Sequence, residues 1–121
     1  DNFKVGQFNN NEIDIRFFNN AGVLLDGMGV TWTDTLGATN KKFSYYEPQN
    51  LIEHFAHIEA VEPGVHQVTI ENQTGCTVTR IDKWDEKRQI IGQTIYGPGT
   101  LDITVKQKDP EWTKYLYVYC Q

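Results

Sequence analysis

This 121-residue chain has one serine, one methionine and no surplus of basic residues. It also has no apolar run approaching the roughly 20 residues that cross a bilayer as a helix. That last absence excludes a helical membrane span. The lone serine, Ser44, sits in Lys-Phe-Ser-Tyr without the glycines of a nucleophile elbow, which excludes a serine hydrolase of that kind. Eleven basic side chains face sixteen acidic ones, for a net charge of −5. The densest basic stretch, Lys83 to Arg88, is interrupted by Asp85 and Glu86. Phosphate backbones are held mainly by clustered Lys and Arg, so no nucleic-acid partner is expected.

A phosphate-cradling glycine loop is missing, and so is the ligand spacing of an EF-hand. The loop aspartates Asp26, Asp34 and Asp109 could bind calcium, but their plain reading is solvated turn residues. No cofactor and no metal are expected.

Hydrophobic residues make up 39% of the chain and aromatic residues 12%. That is enough bulky apolar material for one folded domain over 1–121, at a length too short for two. Cys76 and Cys120 are the only cysteines. Their pairing as a disulfide is expected, closing a loop of about 45 residues worth on the order of 4 kcal/mol in chain entropy. The alternative is two buried thiols. Asn72-Gln73-Thr74, next to Gly75 in a turn, is an N-glycosylation sequon with Asn72 as the acceptor. The chain opens on Asp1 rather than Met, as a mature form freed of a signal peptide or a trimmed chain would. Together these features lead to the expectation of a secreted protein.

The dominant pattern is a series of short segments rich in β-branched and aromatic residues, punctuated by Gly, Asn, Asp and Pro. Glu12 to Phe18 sets Ile13, Ile15 and Phe17 against charged neighbours, and Thr100 to Gln107 sets Leu101, Ile103 and Val105 against polar ones. Val23 to Thr33 reads as a bent strand or two short ones, followed by a loop through Gly37 to Lys42 and a brief strand Phe43 to Tyr46. Val65 to Asn72, Thr77 to Trp84, Gln89 to Tyr96 and Lys114 to Cys120 are further strands, with a hairpin tip at Asp85 to Arg88. About eight or nine mostly antiparallel strands predict an all-β, jelly-roll-like sandwich. One segment is two-sided. Asn50 with Glu53 has the form of a capping box, and Leu51, Phe55 and Ile58 share a helical face, so a short helix is expected near residues 51–60 in preference to a strand.

Within that segment His54 and His57 would be helical neighbours, able to share a cation with Glu53 or His66. The spacing is not His-Glu-x-x-His, however, and on a strand the two point apart. They are read as surface histidines. A thiol enzyme would need Cys76 or Cys120, which a disulfide would consume. Paired carboxylates could serve a glycosidase, but the chain is short for a deep cleft. The expectation is a non-catalytic protein, with a small hydrolase as the lesser alternative.

The remaining functional signal is Lys114-Tyr115-Leu116-Tyr117-Val118-Tyr119-Cys120. Alternation puts three tyrosines on one face, about 6.8 Å apart, and aliphatic residues on the other. Tyrosine is also a favoured strand residue, so structural packing is the plain reading. An exposed strip of Tyr115, Tyr117 and Tyr119, with Trp112 beside it, would stack on sugar rings or anchor a protein. The expected function is therefore glycan recognition of a lectin or carbohydrate-binding-module type. The alternative is a secreted protein-interaction domain such as an effector, toxin or inhibitor.

Overall fold

The computed structural model describes residues 12–59, 62–84, 94–105 and 113–121. Among these residues nine strands follow in order: β1 (Glu12–Phe18), β2 (Gly29–Thr33), β3 (Thr39–Phe43), β4 (Tyr45–Glu47), β5 (Ile52–Glu59), β6 (Gly64–Ile70), β7 (Val78–Trp84), β8 (Gly99–Val105) and β9 (Thr113–Cys120). They form a five-stranded sheet ordered β4-β5-β1-β9-β7 and a four-stranded sheet ordered β3-β2-β6-β8. All neighbouring pairs are antiparallel except β1 and β9. The architecture is the expected all-β sandwich. Its strand order, with one parallel pair, is a coarser match than the particular winding of a jelly roll.

Alternation builds the core. Ile13, Ile15 and Phe17 of β1 are fully buried, as are Leu116 and Val118 of β9 and Ala56 and Ile58 of β5. Opposite them the second sheet contributes Val30, Val68, Ile70, Leu101, Ile103 and Val105. Each large aliphatic or aromatic side chain removed from water contributes about 1.5–3 kcal/mol, so the two inner faces hold the sheets together. The one histidine in this interior is satisfied: His66 accepts from Trp32 Nε1–H at Nδ1 (3.1 Å) and donates from Nε2 to the Glu62 carbonyl (2.8 Å).

The segment expected to be helical is strand β5. The residues of the expected capping box are used otherwise. Asn50 donates its amide to Glu47 Oε1 (2.8 Å), while Pro48–Asn50 makes a single 3-10 turn that ends at Leu51 with φ of 60°. Beyond it, pairing with β1 on one side and β4 on the other satisfies the backbone, and burial of Ala56 and Ile58 outweighs the local helical signal. The expected loop from Gly37 to Lys42 is likewise corrected, since Thr39–Phe43 is strand β3, held by β2 along its whole length. The hairpin tip at 85–88 and most of the strand expected from Gln89 lie outside the described residues, although Ile95 bridges to Ile81.

Ser44, the only serine, stands where the chain leaves one sheet for the other, between β3 and β4. It is buried, its Oγ donates to the Leu25 carbonyl (2.8 Å) and accepts from the Met28 amide (3.0 Å), and its own amide donates to the Met28 carbonyl (2.9 Å). Cys76 and Cys120 are joined, with Cα atoms 4.7 Å apart. The bridge fastens the β6–β7 crossover to the end of β9, a central strand.

Two measurements test this account. The double variant Cys76→Ala, Cys120→Ala is expected to lose about 4 kcal/mol of unfolding free energy, because the loop it releases is long. Urea unfolding reads this directly, and an unchanged midpoint contradicts it. Ser44→Ala, which leaves a buried carbonyl and amide without their hydroxyl partner, is expected to cost about 1–3 kcal/mol in the same assay.

Candidate functional site

The outward face of the five-stranded sheet is set by the same alternation that builds the core. On β1 it carries Glu12, Asp14, Arg16 and Phe18, and on β9 it carries Tyr115, Tyr117 and Tyr119. Pairing places Asp14 beside His57 and Tyr115, and Arg16 beside Phe55 and Tyr117. On the far side β7 aligns Trp84 with Tyr115, Asp82 with Tyr117 and Arg80 with Tyr119. The result is a continuous band of rings and charges across four strands.

The three tyrosines lie on one face, half-buried, with Leu116, Val118 and Cys120 turned inward. Their rings are packed into the band. Phe18 stacks on Tyr119 (5.5 Å between centroids) and meets Tyr117 edge-on (5.2 Å), while Arg80 lies over Tyr119 (4.2 Å). Tyr115 meets Tyr117 edge-on at 6.5 Å. Trp112, the fourth aromatic expected to contact a ligand, lies outside the described residues.

At the β5 end the band opens into a pocket of about 300 Å³, lined by Glu12, Asp14, Arg16 and Tyr115, by Asn50, Leu51 and Ile52, and by Phe55 and His57. A bulge shapes it. Tyr45 pairs with Phe55 and Tyr46 with Glu53, so His54 is an extra, unpaired residue with φ of 66°. The insertion shifts the alternation of β5, which brings buried Ile52 to the same side as Phe55 and His57. His54 is held at the bulge by Asp26, whose two carboxylate oxygens both lie 3.0 Å from Nδ1, and by Tyr46 stacked at 4.5 Å.

Electrostatics concentrate at one wall. His57 Nδ1 donates to Asp14 Oδ1 (3.3 Å) and lies 3.5 Å from Glu12 Oε1, while Nε2 is 3.9 Å from Glu59 Oε1. Asp14 is only 6% exposed. The hydrogen bond to Asp14 holds the His57 pKa above its ordinary value of 6.5, helped by the charges of Asp14, Glu12 and Glu59 and opposed by burial. Burial raises Glu12 above its ordinary 4.5, and repulsion from Asp14 and Glu59 adds to it. On the other wall the Arg16 guanidinium lies 4.6 Å over the Phe55 ring and 5.8 Å from Tyr115.

The histidines thus do not meet one another. His54 is at the bulge, His57 is on the pocket wall and His66 is in the core. The sequence pairs His57 with His54 and either Glu53 or His66, whereas its partners Glu12 and Asp14 come from β1, more than forty residues away. Their only signal in the sequence was the charged side of the β1 alternation. Asn72, the sequon residue, is exposed, and its Oδ1 accepts from the Val78 amide (2.8 Å).

Such a wall can form hydrogen bonds in both directions, with a ring and a guanidinium close by. Comparisons with protein-family models, curated proteins and solved structures returned no match for this chain.

The wall also dictates a pH dependence. A histidine whose folded pKa is raised lends stability fully below its unfolded value, and that stability is lost as pH rises through the folded value. A carboxylic acid whose folded pKa is raised acts in the same direction, since its ionisation opposes folding. Stability is therefore expected to fall as pH rises above the ordinary values of the two groups, 4.5 for Glu12 and 6.5 for His57. His57→Gln is expected to flatten the part of that slope above 6.5. Urea midpoints across the range decide, and a slope unchanged in the variant contradicts the assignment.

Proposed function

We propose that this chain is a secreted, non-catalytic recognition protein whose ligand is a glycan, bound at the pocket on the outward face of the five-stranded sheet. The observation that carries the reading is the lining of that pocket. Glu12, Asp14, Asn50, Arg16 and His57 supply acceptors and donors around a volume of about 300 Å³, with Tyr115 at its edge. Sugar hydroxyls each donate and accept, and their C–H faces pack on aromatic rings, so a polar concavity with a tyrosine suits them. The adjoining Tyr117 and Tyr119 extend the surface for further sugar units.

The disulfide and the exposed sequon at Asn72 support the extracellular setting. A protein ligand is the second reading, favoured by exposed Leu51 in the pocket lining and by exposed Tyr45 and Tyr46 on the neighbouring strand β4.

Binding to a glycan array tests the first reading. Retention of at least one glycan, weakened roughly tenfold by Tyr115→Ala and by Arg16→Ala, is the expected result. Absence of any retained glycan at high protein concentration sinks it. A partner captured from cell surfaces that protease destroys and free sugar does not displace would establish the second reading in its place.

A further inference from the structure

We propose that Glu12, Asp14 and His57 form a binding site for one divalent transition-metal ion of the zinc type, with an open coordination position facing the pocket. The inference concerns the ion alone and does not rest on glycan recognition.

The donor atoms converge from two strands. Glu12 and Asp14 are two apart on β1 and share its outward face, and His57 stands directly across from Asp14 on β5. One carboxylate oxygen from each acid and one nitrogen of the imidazole all lie within 4.8 Å of one another. Zinc bonds to nitrogen and oxygen of about 2.0–2.2 Å in a tetrahedron set the ligands about 3.3–3.6 Å apart. The imidazole nitrogen is 3.3 Å from Asp14 Oδ1 and 3.5 Å from Glu12 Oε1, so two of the three edges have that length already. The two carboxylates lie within 4.8 Å of each other.

Charge and chemistry agree with the geometry. Two carboxylates and a neutral imidazole balance a doubly charged ion, and the ion replaces the single proton that His57 now places between two acids. The crowding is physical: Glu12 is partly buried next to Asp14 and Glu59, and Asp14 is almost wholly out of water. A carboxylate buried this deeply calls for a cation or hydrogen-bond donor at close range. The mixed nitrogen and oxygen set favours zinc or a neighbouring first-row ion over calcium, which takes six to eight oxygens at longer range.

The surroundings also fit. Glu59 Oε1 lies 3.9 Å from Nε2 of His57, on the side where metal-bound histidines commonly have a carboxylate partner. Three protein ligands and a pocket on the fourth side leave room for a water or a ligand oxygen on the ion, as in three-ligand zinc sites. His54 and Asp26, another close pair of an imidazole with a carboxylate, have no third donor among the described residues.

The test is calorimetric titration of the chelator-stripped chain with zinc chloride, accompanied by thermal melts with and without zinc. One ion per chain is expected, with a higher melting temperature in zinc. His57→Gln and Glu12→Gln are each expected to weaken binding roughly tenfold or more and to remove the thermal shift. Glu59→Gln should weaken it less. Glu12 is partly exposed, so its variant keeps the test open if removal of His57 perturbs folding, which far-UV circular dichroism reads. Lack of stoichiometric zinc uptake by the native chain overturns the proposal. Uptake that survives both His57→Gln and Glu12→Gln in folded protein also overturns it.

Discussion

Strand β1 lies between β5 and β9, and its seven residues serve both sides of the sheet. Inward, Ile13, Ile15 and Phe17 occupy the middle of the core without any exposure. Outward, Glu12, Asp14 and Arg16 supply three of the polar side chains of the pocket. Because successive side chains alternate strictly, the register that buries the three apolar residues also brings Asp14 across from His57 and next to Tyr115. A slip by one residue would put two acids and an arginine into the core, at a cost far above the net stability of a domain this size. The outer site is therefore held in place by the inner packing.

Two local irregularities complete the pocket. Ser44 lets the chain pass from the four-stranded sheet to the five-stranded one by binding the backbone at Leu25 and Met28, and so positions β4 at the edge of β5. Next to it, the bulge at His54 places a residue that is not glycine at positive φ, a conformation that costs of order 1–3 kcal/mol. Asp26 and Tyr46 hold that residue from either side. The consequence is geometric: Ile52 turns toward the pocket, which gains an apolar floor beneath the polar wall.

The elements whose alternation is strict were legible in the sequence. β1 has the expected bounds, β6, β7, β8 and β9 lie close to theirs, and the Cys76–Cys120 bridge is formed. The segment from Asn50 to Glu59 was misleading because its helical signals are local, while the hydrogen bonds that make it a strand come from β1 and β4. For the same reason the pocket wall could not be read. Glu12 and Asp14 look like the wet side of an ordinary strand until β5 is known to be their neighbour. His57 invited pairing with His54, three residues away, although a strand turns residues three apart to opposite faces.

The tyrosine strip illustrates how packing divides a uniform pattern into unequal parts. From the sequence the three rings are equivalent, but the strands on either side are not. Tyr119 lies between Phe18 and Arg80, and Tyr117 is bounded by Phe18, Trp84 and Tyr115, so both have ring contacts within the sheet. Tyr115 stands at the row where β1 presents a buried carboxylate and β5 a histidine, and it alone of the three borders the pocket. Aromatic surface and concentrated charge therefore coincide at one end of β9. That end combines a ring, a guanidinium and a cluster of titratable groups, which gives a ligand there directional contacts that a row of tyrosines by itself would not provide.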